Sequence, residues 1–434
     1  MRAVDLIQAK KEGKKHTKEE IFFLVEGYTK GEIEDYQMSA WLMAVCFMGL
    51  DKEETAYLTE AFVKSGEVLD FSHISKFVAD KHSTGGVGDK VTIVLIPLLA
   101  SLGVTCAKLS GRGLGYTGGT VDKLESIPNF NCELSGDKFM KQIEEINVAI
   151  SSQSPNLTPA DGKIYALRDV TATVDNKSLI CASVVSKKIA SGANSIVLDV
   201  KYGSGAFIKT KEEAKELADL MIEIGALLNR KISAIISSME QPLGTHIGNS
   251  LEIIESIEFL KGNYQQDLYD VTLEIVVKTL IAGGLAKTKE EAKEKMDEAI
   301  KTGKALKTLE TILIHQGANP DVIKDYTLFA PAKNKLEIKA QEDGYICQLD
   351  ALMIARACKL LGAGRDKKSD SIDPAAGCIL SKKIADKVQK GDVIATLYFN
   401  DVKPEKINDA QESAKNSIKI SKNAVNAPEL IYAN

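Results

Sequence analysis

The hydrophobic pattern changes character along the chain, and each change marks a different kind of element. From residue 1 to about 66 the apolar positions recur at helical spacing. Thr17-x-x-Glu20 is a capping-box pattern, and Ile21, Leu24, Val25 and Tyr28 follow on one face. Trp41, Leu42, Val45 and Cys46 form a second helical stripe. These residues predict helices that pack into a core, with nothing among them poised for chemistry. His16 and His73 stand among polar neighbours and are expected at the surface. Further on, short apolar runs alternate with helical ones. Val78-Ala79 reads as the end of a short strand, Val91 to Leu102 as a helix, and Val104 to Leu109 as a second strand. Thr158-Pro159-Ala160-Asp161 starts a helix with a capping residue and then Pro at the first position. Ile196 to Val200 and Ile232 to Met239 are strand-length. Between them Thr210-x-x-Glu213 caps a helix carrying Ala214, Leu217, Ala218, Met221 and Ile222. Strand, helix, strand is the parallel crossover unit. Thr288-x-x-Glu291 caps a further, charged helix. From about Pro331 the pattern becomes short strands and turns, including Leu336–Lys339, Gly344–Ile346, Gly377–Leu380 and Val388–Tyr398. The fold class predicted is α/β plus α: a small helical domain, a larger α/β domain with a mixed, largely parallel sheet, and a C-terminal α+β domain.

Composition narrows the function classes. The chain has 434 residues, 44% of them apolar, which suggests about three compact units with sizeable cores. Charged residues at 26% and only 10 prolines argue against disorder. A net charge of −5 gives no overall attraction for nucleic acid or an anionic membrane, so neither is an expected partner. No run of about 20 apolar residues exists, and the N-terminus lacks a signal-peptide core. Seven cysteines, at 46, 106, 132, 181, 347, 358 and 378, are scattered, with no Cys-x-x-Cys. They indicate neither a disulfide framework nor a zinc site, and a cytoplasmic location follows.

The candidate chemistry lies in two glycine-rich loops one apolar segment apart. The first reads Lys81-His-Ser-Thr-Gly-Gly-Val-Gly-Asp-Lys90, the second Lys108-Leu-Ser-Gly-Arg-Gly-Leu-Gly-Tyr-Thr-Gly-Gly-Thr120. Each follows a strand and precedes a helix. In a parallel sheet both would lie at the carboxyl edge, where ligands of open α/β sheets bind. Glycines let backbone N–H groups approach an anion, and helix N-termini add a favourable field. Ser83, Thr84, Ser110, Thr117 and Thr120 add hydroxyls; Lys81, Lys108 and Arg112 add charge. The ligand this predicts is phosphate, free or esterified. The nucleoside-triphosphate loop is excluded, because Lys90 is preceded by Asp89 and followed by Val91. The dinucleotide spacing occurs at Gly113-x-Gly115-x-x-Gly118. The acidic residue it needs about twenty positions later has no strand end to occupy, since Glu133 and Asp137 flank a loop-like Leu-Ser-Gly.

Lys81–Asp89 and the long run Ser110–Pro128 resemble the thymidine and pyrimidine-nucleoside phosphorylases. So do Leu157–Asp161, Tyr165–Thr173, Ser186–Lys188 and Asp199–Phe207. The resemblance covers essentially the whole chain and weakens after about Ala330. It implies reversible phosphorolysis of pyrimidine nucleosides (uridine, thymidine, deoxyuridine) to free base and pentose 1-phosphate. It implies domains at 1–66 and 155–191 (helical), 67–154 and 192–330 (α/β) and 331–434 (C-terminal), and a homodimer. The family's phosphate positions match Lys81, His82, Ser83, Thr92, Lys108, Leu109, Ser110 and Thr120. Its base-binding positions match Arg168, Ser183 and Lys187, and His82 is the candidate general acid beside the catalytic Arg168 and Lys187.

Departures from the family are Tyr116, where His is usual, and Tyr202, where small residues are usual. Lys108 resembles the broad-specificity members rather than the deoxy-specific ones. No organic cofactor is implied. Relatives that bind potassium use positions matching Gly88, Lys90, Leu243, His246 and Glu255. At 90 either the backbone carbonyl coordinates the ion or the Lys90 ammonium replaces it. Two other readings stand beside phosphorolysis: an anthranilate-type phosphoribosyltransferase, which shares the two-domain plan, and a nucleotide-binding scaffold that has lost catalysis.

Overall fold

The computed structural model describes residues 1–432 apart from Lys76, Leu114, Thr117, Pro155, Asp366, Lys368 and Ser369. The hydroxyl expected at Thr117 therefore lies outside the described residues. Close contacts divide the chain into two compact units. The first comprises Met1–His82, Gln153–Leu198 and Lys215–Ala234; the second comprises Ser83–Ser152, Asp199–Ala214 and Ile235–Asn434.

The chain opens with four helices: α1 (Ala3–Lys11), α2 (Lys18–Lys30), α3 (Asp35–Met48) and α4 (Lys52–Lys64). Thr17 and Glu20 form the expected capping box at α2, and Asp51 with Glu54 forms another at α4. Next come β1 (Ala79–Ser83), α5 (Val91–Ser101), β2 (Cys106–Ser110), the short α6 (Thr120–Leu124), α7 (Gly136–Ile146) and β3 (Val148–Ser152). The helices α8 (Pro159–Arg168) and α9 (Lys177–Ala190) return to the first unit. There Ala160, Ile164, Leu179 and Ala182 share a core with Ile21, Leu24, Trp41, Leu42 and Phe62. The crossover is β4 (Ser195–Tyr202), α10 (Lys211–Leu227) and β5 (Lys231–Ser238). After β6 (His246–Gly248) come α11 (Asn249–Leu260), α12 (Gln266–Ala282), α13 (Lys289–Lys301) and α14 (Lys304–His315). Within the second unit α5 packs against α11, α12 and α14. All ten residues from Val91 to Ala100 except the last are buried, which is why its apolar run shows no polar face.

The C-terminal region supplies β7 (Asn334–Lys339), β8 (Gly344–Leu349), α15 (Ala351–Cys358), β9 (Gly377–Leu380), β10 (Lys387–Val388), β11 (Val393–Phe399), α16 (Pro404–Asn416), β12 (Ile418–Ser421) and β13 (Ile431–Tyr432). Its apolar core includes Val87 of the first glycine loop and Ile247 of β6. Four sheets result, ordered β1-β4-β5-β13, β10-β8-β12, β6-β9-β11-β7 and β2-β3. The β2-β3 pair is parallel, and β13 closes an edge of β5 antiparallel. The architecture is a helical N-terminal bundle, an α/β part with a mixed, largely parallel sheet, and a C-terminal α+β part.

Four expectations need correction. β1 does not end at Ala79 but continues through Ser83, so Lys81 and His82 sit on strand rather than loop. The second glycine loop leaves a two-stranded parallel pair, since among the described residues β2 bonds to β3. Thr158 precedes α8 but its side chain makes no capping bond; Pro159 at the first position suffices to start the helix. His16 is not a surface residue. It is 3% exposed and accepts a hydrogen bond from the Trp41 indole N–H at 3.1 Å. Polar neighbours in sequence misled here, because a polar turn can still fold its imidazole onto a buried indole.

Burial lowers the pKa of His16, with Lys10 adding to the effect and Glu20 opposing it. A lowered histidine pKa means the unfolded chain takes up the proton more readily. The contribution is present above the unfolded value near 6.5 and is lost as pH falls towards the folded value. His16→Gln keeps an acceptor for Trp41 but cannot protonate. Trp41 is the chain's single tryptophan, so its fluorescence during urea unfolding reports this bundle. The wild-type midpoint should fall between pH 7 and 5, and the His16→Gln midpoint should fall less.

Candidate active site

In the first unit, Asp161, Tyr165 and Arg168 recur at spacings of four and three on α8, and Ser183 and Lys187 are four apart on α9. Each set therefore shares a helix face. The Lys187 ammonium pairs with the fully buried Asp161 carboxylate and donates to the Ser183 hydroxyl at 2.7 Å. A quarter of its side chain is exposed, so it is held in place yet open on one side. Arg168 is 1% exposed. It donates to the carbonyls of Thr173 at 3.0 Å, Val174 at 2.8 Å and Leu179 at 3.2 Å, pinning the turn between α8 and α9. Burial lowers the guanidinium pKa and Asp161 opposes this; an arginine nonetheless stays charged at neutral pH. Three of its five N–H groups serve these carbonyls. On β1, Lys81 is buried and His82 half-buried. Asp80 beside them pairs with Lys188 of α9 at 2.8 Å, both side chains being almost wholly buried. Neighbouring lysines on α9 thus hold different acids: Lys188 fixes the helix to β1, and Lys187 faces Asp161.

In the second unit, the Gly85 N–H bonds back to the Ser83 hydroxyl at 3.1 Å, and the Thr84 hydroxyl accepts from the Lys201 N–H at 2.9 Å. Lys201 is fully buried against Asp199 at 2.8 Å and Ser237 at 3.1 Å. Burial opposes its charge, but Asp199 and Asp89 outweigh burial and raise its pKa. Thr92 lies in the first turn of α5. Lys108 and Ser110 share a face of β2, with Leu109 on the other, and all three are buried. The Ser110 hydroxyl has no hydrogen-bond partner among the described residues. Thr120 opens α6, preceded by Gly119, where a Cβ would stand 2.1 Å from the Gly113 nitrogen. Only glycine lets the second loop close on itself there.

Arg112 departs from its expected part. It grips Glu125 through two nitrogens at 2.6 and 2.8 Å and reaches Asp122 at 3.2 Å. The bond to Glu125 raises its pKa despite some desolvation, and the two acids offset its charge. Asp122 carries the loop. It accepts from the Gly113 N–H at 2.6 Å, from Arg112, and from Arg365 of the C-terminal region at 2.9 Å. Behind both loops stands α11. Lys123 bridges Glu252 at 2.6 Å and the Asp89 carbonyl at 2.7 Å. Lys90, with no exposed side-chain surface, bonds Glu255 at 2.8 Å and the Leu243 carbonyl at 2.7 Å. The positions expected to ligate potassium therefore do converge, but their oxygens face an ammonium. The Leu243 carbonyl and one Glu255 oxygen are taken, and these residues do not fit a bound potassium ion.

Sequence reasoning missed Asp122, Lys123, Asp161, Glu252 and Arg365. One available signal was Glu252, Glu255 and Glu258, acids recurring every three residues along α11. Asp122→Ala should free the Gly113 N–H. Hydrogen exchange in the peptide spanning 111–119 should quicken about tenfold or more, since hydrogen bonds to charged groups contribute about 1.5–3 kcal/mol. Arg365→Ala should quicken the same peptide more weakly, while β2 amides stay protected. Equal rates in wild type and both variants would remove Asp122 from this part.

Residues 4–66 match the helical bundle domain of the glycosyl transferase family, residues 75–306 its a/b domain, and residues 345–421 the pyrimidine nucleoside phosphorylase C-terminal domain. The pyrimidine-nucleoside phosphorylase of Geobacillus stearothermophilus is 49% identical over 432 residues, covering 100% of this chain and 99% of the relative. Those of Staphylococcus epidermidis and Bacillus subtilis are each 48% identical over the same span. Among solved structures, anthranilate phosphoribosyltransferase from Thermus thermophilus superposes with a TM-score of 0.57 at 17% identity. That match covers 72% of this chain and 100% of that one, and is a likeness of fold. With full-length identity near one half, the chain belongs to the pyrimidine-nucleoside phosphorylase family.

Proposed function

We propose that this chain is a pentosyltransferase that carries out reversible phosphorolysis of pyrimidine nucleosides. A phosphate oxygen forms a bond to C1′ of the sugar, the C1′–N1 bond breaks, and its electron pair leaves with the base. The products are the free pyrimidine and a pentose 1-phosphate. The observation that carries this reading is the cluster on α8 and α9. Lys187 is held between Asp161 and Ser183, and Arg168 shares the face of Asp161. A pyrimidine leaves as an anion, and a fixed positive charge at its carbonyl oxygens can lower the barrier by about 3–4 kcal/mol per well-placed donor. In this reading Arg168 and Lys187 supply that charge, Ser183 binds the base edge, and His82 donates a proton to the departing base. Lys81, His82, Ser83, Thr92, Lys108, Leu109, Ser110 and Thr120 hold phosphate through ammonium, hydroxyl and backbone donors. The chemistry needs no organic cofactor. A homodimer in the cytoplasm completes the proposal; among the described residues no helix is long and apolar enough to cross a membrane.

The phosphoribosyltransferase reading rests on fold alone, at 17% identity, whereas the full-length relatives are phosphorylases. An inactive scaffold has no need of His82, Arg168 and Lys187 together. One assay separates the three: incubation with uridine and phosphate, without added divalent metal, followed by detection of uracil. Release of uracil that requires phosphate supports phosphorolysis; none, with folded protein, removes it.

Lys108 on β2 favours the broad nucleoside range, so uridine and thymidine should both be cleaved. Product analysis showing thymidine cleavage and no uridine cleavage would restrict the enzyme to deoxynucleosides.

Lys187 gives the sharpest test. Lys187→Ala should lower kcat about 100-fold or more, as loss of one oxyanion donor does. A structural lysine would also lower activity, so the leaving group decides. 5-Fluorouracil and 5-nitrouracil are better anions and need less help. Across 5-substituted uridines at saturating phosphate, the defect in kcat/KM should shrink as the base becomes more acidic. Parallel lines for wild type and variant against base pKa would take Lys187 out of the catalytic set.

A further inference from the structure

Lys90 lies beneath the first glycine loop and has no exposed side-chain surface. Its ammonium contacts one main-chain carbonyl, Leu243 at 2.7 Å, and one carboxylate oxygen, Glu255 at 2.8 Å. The approach depends on Gly88. That residue has φ +73, and a Cβ there would stand 2.6 Å from the Leu243 oxygen and 3.5 Å from the ammonium. A side chain at 88 would be strained and would crowd the cation's surroundings. The Lys90 N–H closes the turn onto the Gly88 carbonyl at 2.9 Å.

Glu255 gathers the other side. It accepts from the Thr245 N–H at 2.8 Å, the Thr245 hydroxyl at 3.0 Å and the His246 N–H at 3.0 Å. His246 adds its imidazole 3.8 Å away, its own pKa lowered by burial. Burial alone would push the Glu255 carboxyl up; Lys90, His246 and the donated hydrogen bonds overcome it and hold it at about 2. A buried carboxylate beside a carbonyl demands one positive charge. An oxygen-lined site for a single charge can be filled by a hard monovalent cation or by an ammonium, which resembles potassium in charge and size.

We propose that Lys90 is a tethered monovalent cation. Its ammonium stands where a potassium ion would otherwise join the first glycine loop to the Leu243–His246 segment and to α11, so the protein needs no alkali metal. A dissociable ion stabilises a fold by an amount that grows with its concentration, whereas a covalently attached one cannot leave and adds no such dependence. The tethered charge does not depend on the proposed phosphorolysis.

The test is the thermal unfolding midpoint of the full chain in potassium chloride against tetramethylammonium chloride at equal ionic strength, followed by circular dichroism. Wild type should give the same midpoint in both salts. Lys90→Thr opens space beside the Leu243 carbonyl and Glu255. Its midpoint should drop by roughly 10 °C in tetramethylammonium, and potassium should restore it along a saturating curve. Lys90→Met fills the space with apolar atoms and should not recover. A saturable potassium shift in wild type would overturn the proposal on its own, whatever the variants do. So would a Lys90→Thr chain that recovers nothing in potassium, folded or not.

Discussion

Two buried lysine–glutamate pairs on one helix hold the second unit's loops in register. Glu252 and Glu255 stand three apart on α11; Lys123, from the helix after the second glycine loop, meets the first, and Lys90, from the end of the first loop, meets the second. Glycine-rich segments have few side chains with which to pack, so their positions must be fixed from outside. Lys123 does this twice over, because it also takes the Asp89 carbonyl of the other loop. Desolvating four charged groups is costly, and a well-packed apolar replacement could be as stable. What an apolar replacement lacks is direction. An ammonium between a carboxylate and a named carbonyl sets where a loop's backbone lies, which a leucine against a leucine would not.

The same device recurs in the first unit with a different outcome. Asp80–Lys188 is closed to water on both sides, whereas Asp161–Lys187 leaves a quarter of the lysine exposed. Consecutive residues on α9 thus divide two tasks: one anchors the helix, and the other presents a charge whose position is already fixed. Preorganisation of this kind is what electrostatic catalysis requires, since a charge that must reorient during reaction loses much of its advantage. Asp161 partly offsets the positive charge it orients. Held by a fully buried acid and open on the other side, Lys187 can meet an anion without first being collected from solvent.

Much of this was legible along the chain. Helix starts at Thr17, Thr210 and Thr288 are local patterns, and the crossover of β4, α10 and β5 follows from the switch of hydrophobic period. The loops announced themselves through glycine spacing. What was not legible is which charges meet. Arg365 reaches Asp122 across 243 positions, and Lys90 reaches the Leu243 carbonyl across 153. Periodicity tells which face a residue shares, not which distant carboxylate that face will find. His16 failed for the same reason: its sequence neighbours are polar, but its partner is an indole 25 positions away. Arg112 failed in the opposite way, because the acids that neutralise it were close by at 122 and 125 and the glycine context outweighed them.

Arg112 also bears on how an acidic protein can hold phosphate. With Arg112 tied to Asp122 and Glu125, Lys123 to Glu252, Lys90 to Glu255 and Lys201 to Asp199, much of the basic density near the loops is internally balanced. On the proposed reading, an anion at the second loop is met by main-chain N–H groups and hydroxyls, including the buried Ser110 hydroxyl. A field made mostly of oriented neutral dipoles binds a dianion without neutralising it in tight ion pairs. Such donors hold phosphate in place and leave electron density on the oxygen that must attack C1′. The lysine–glutamate pairs then have a chemical purpose as well as a structural one. On that reading they position the loops with charges that cancel, so that fixing the backbone does not quench the nucleophile.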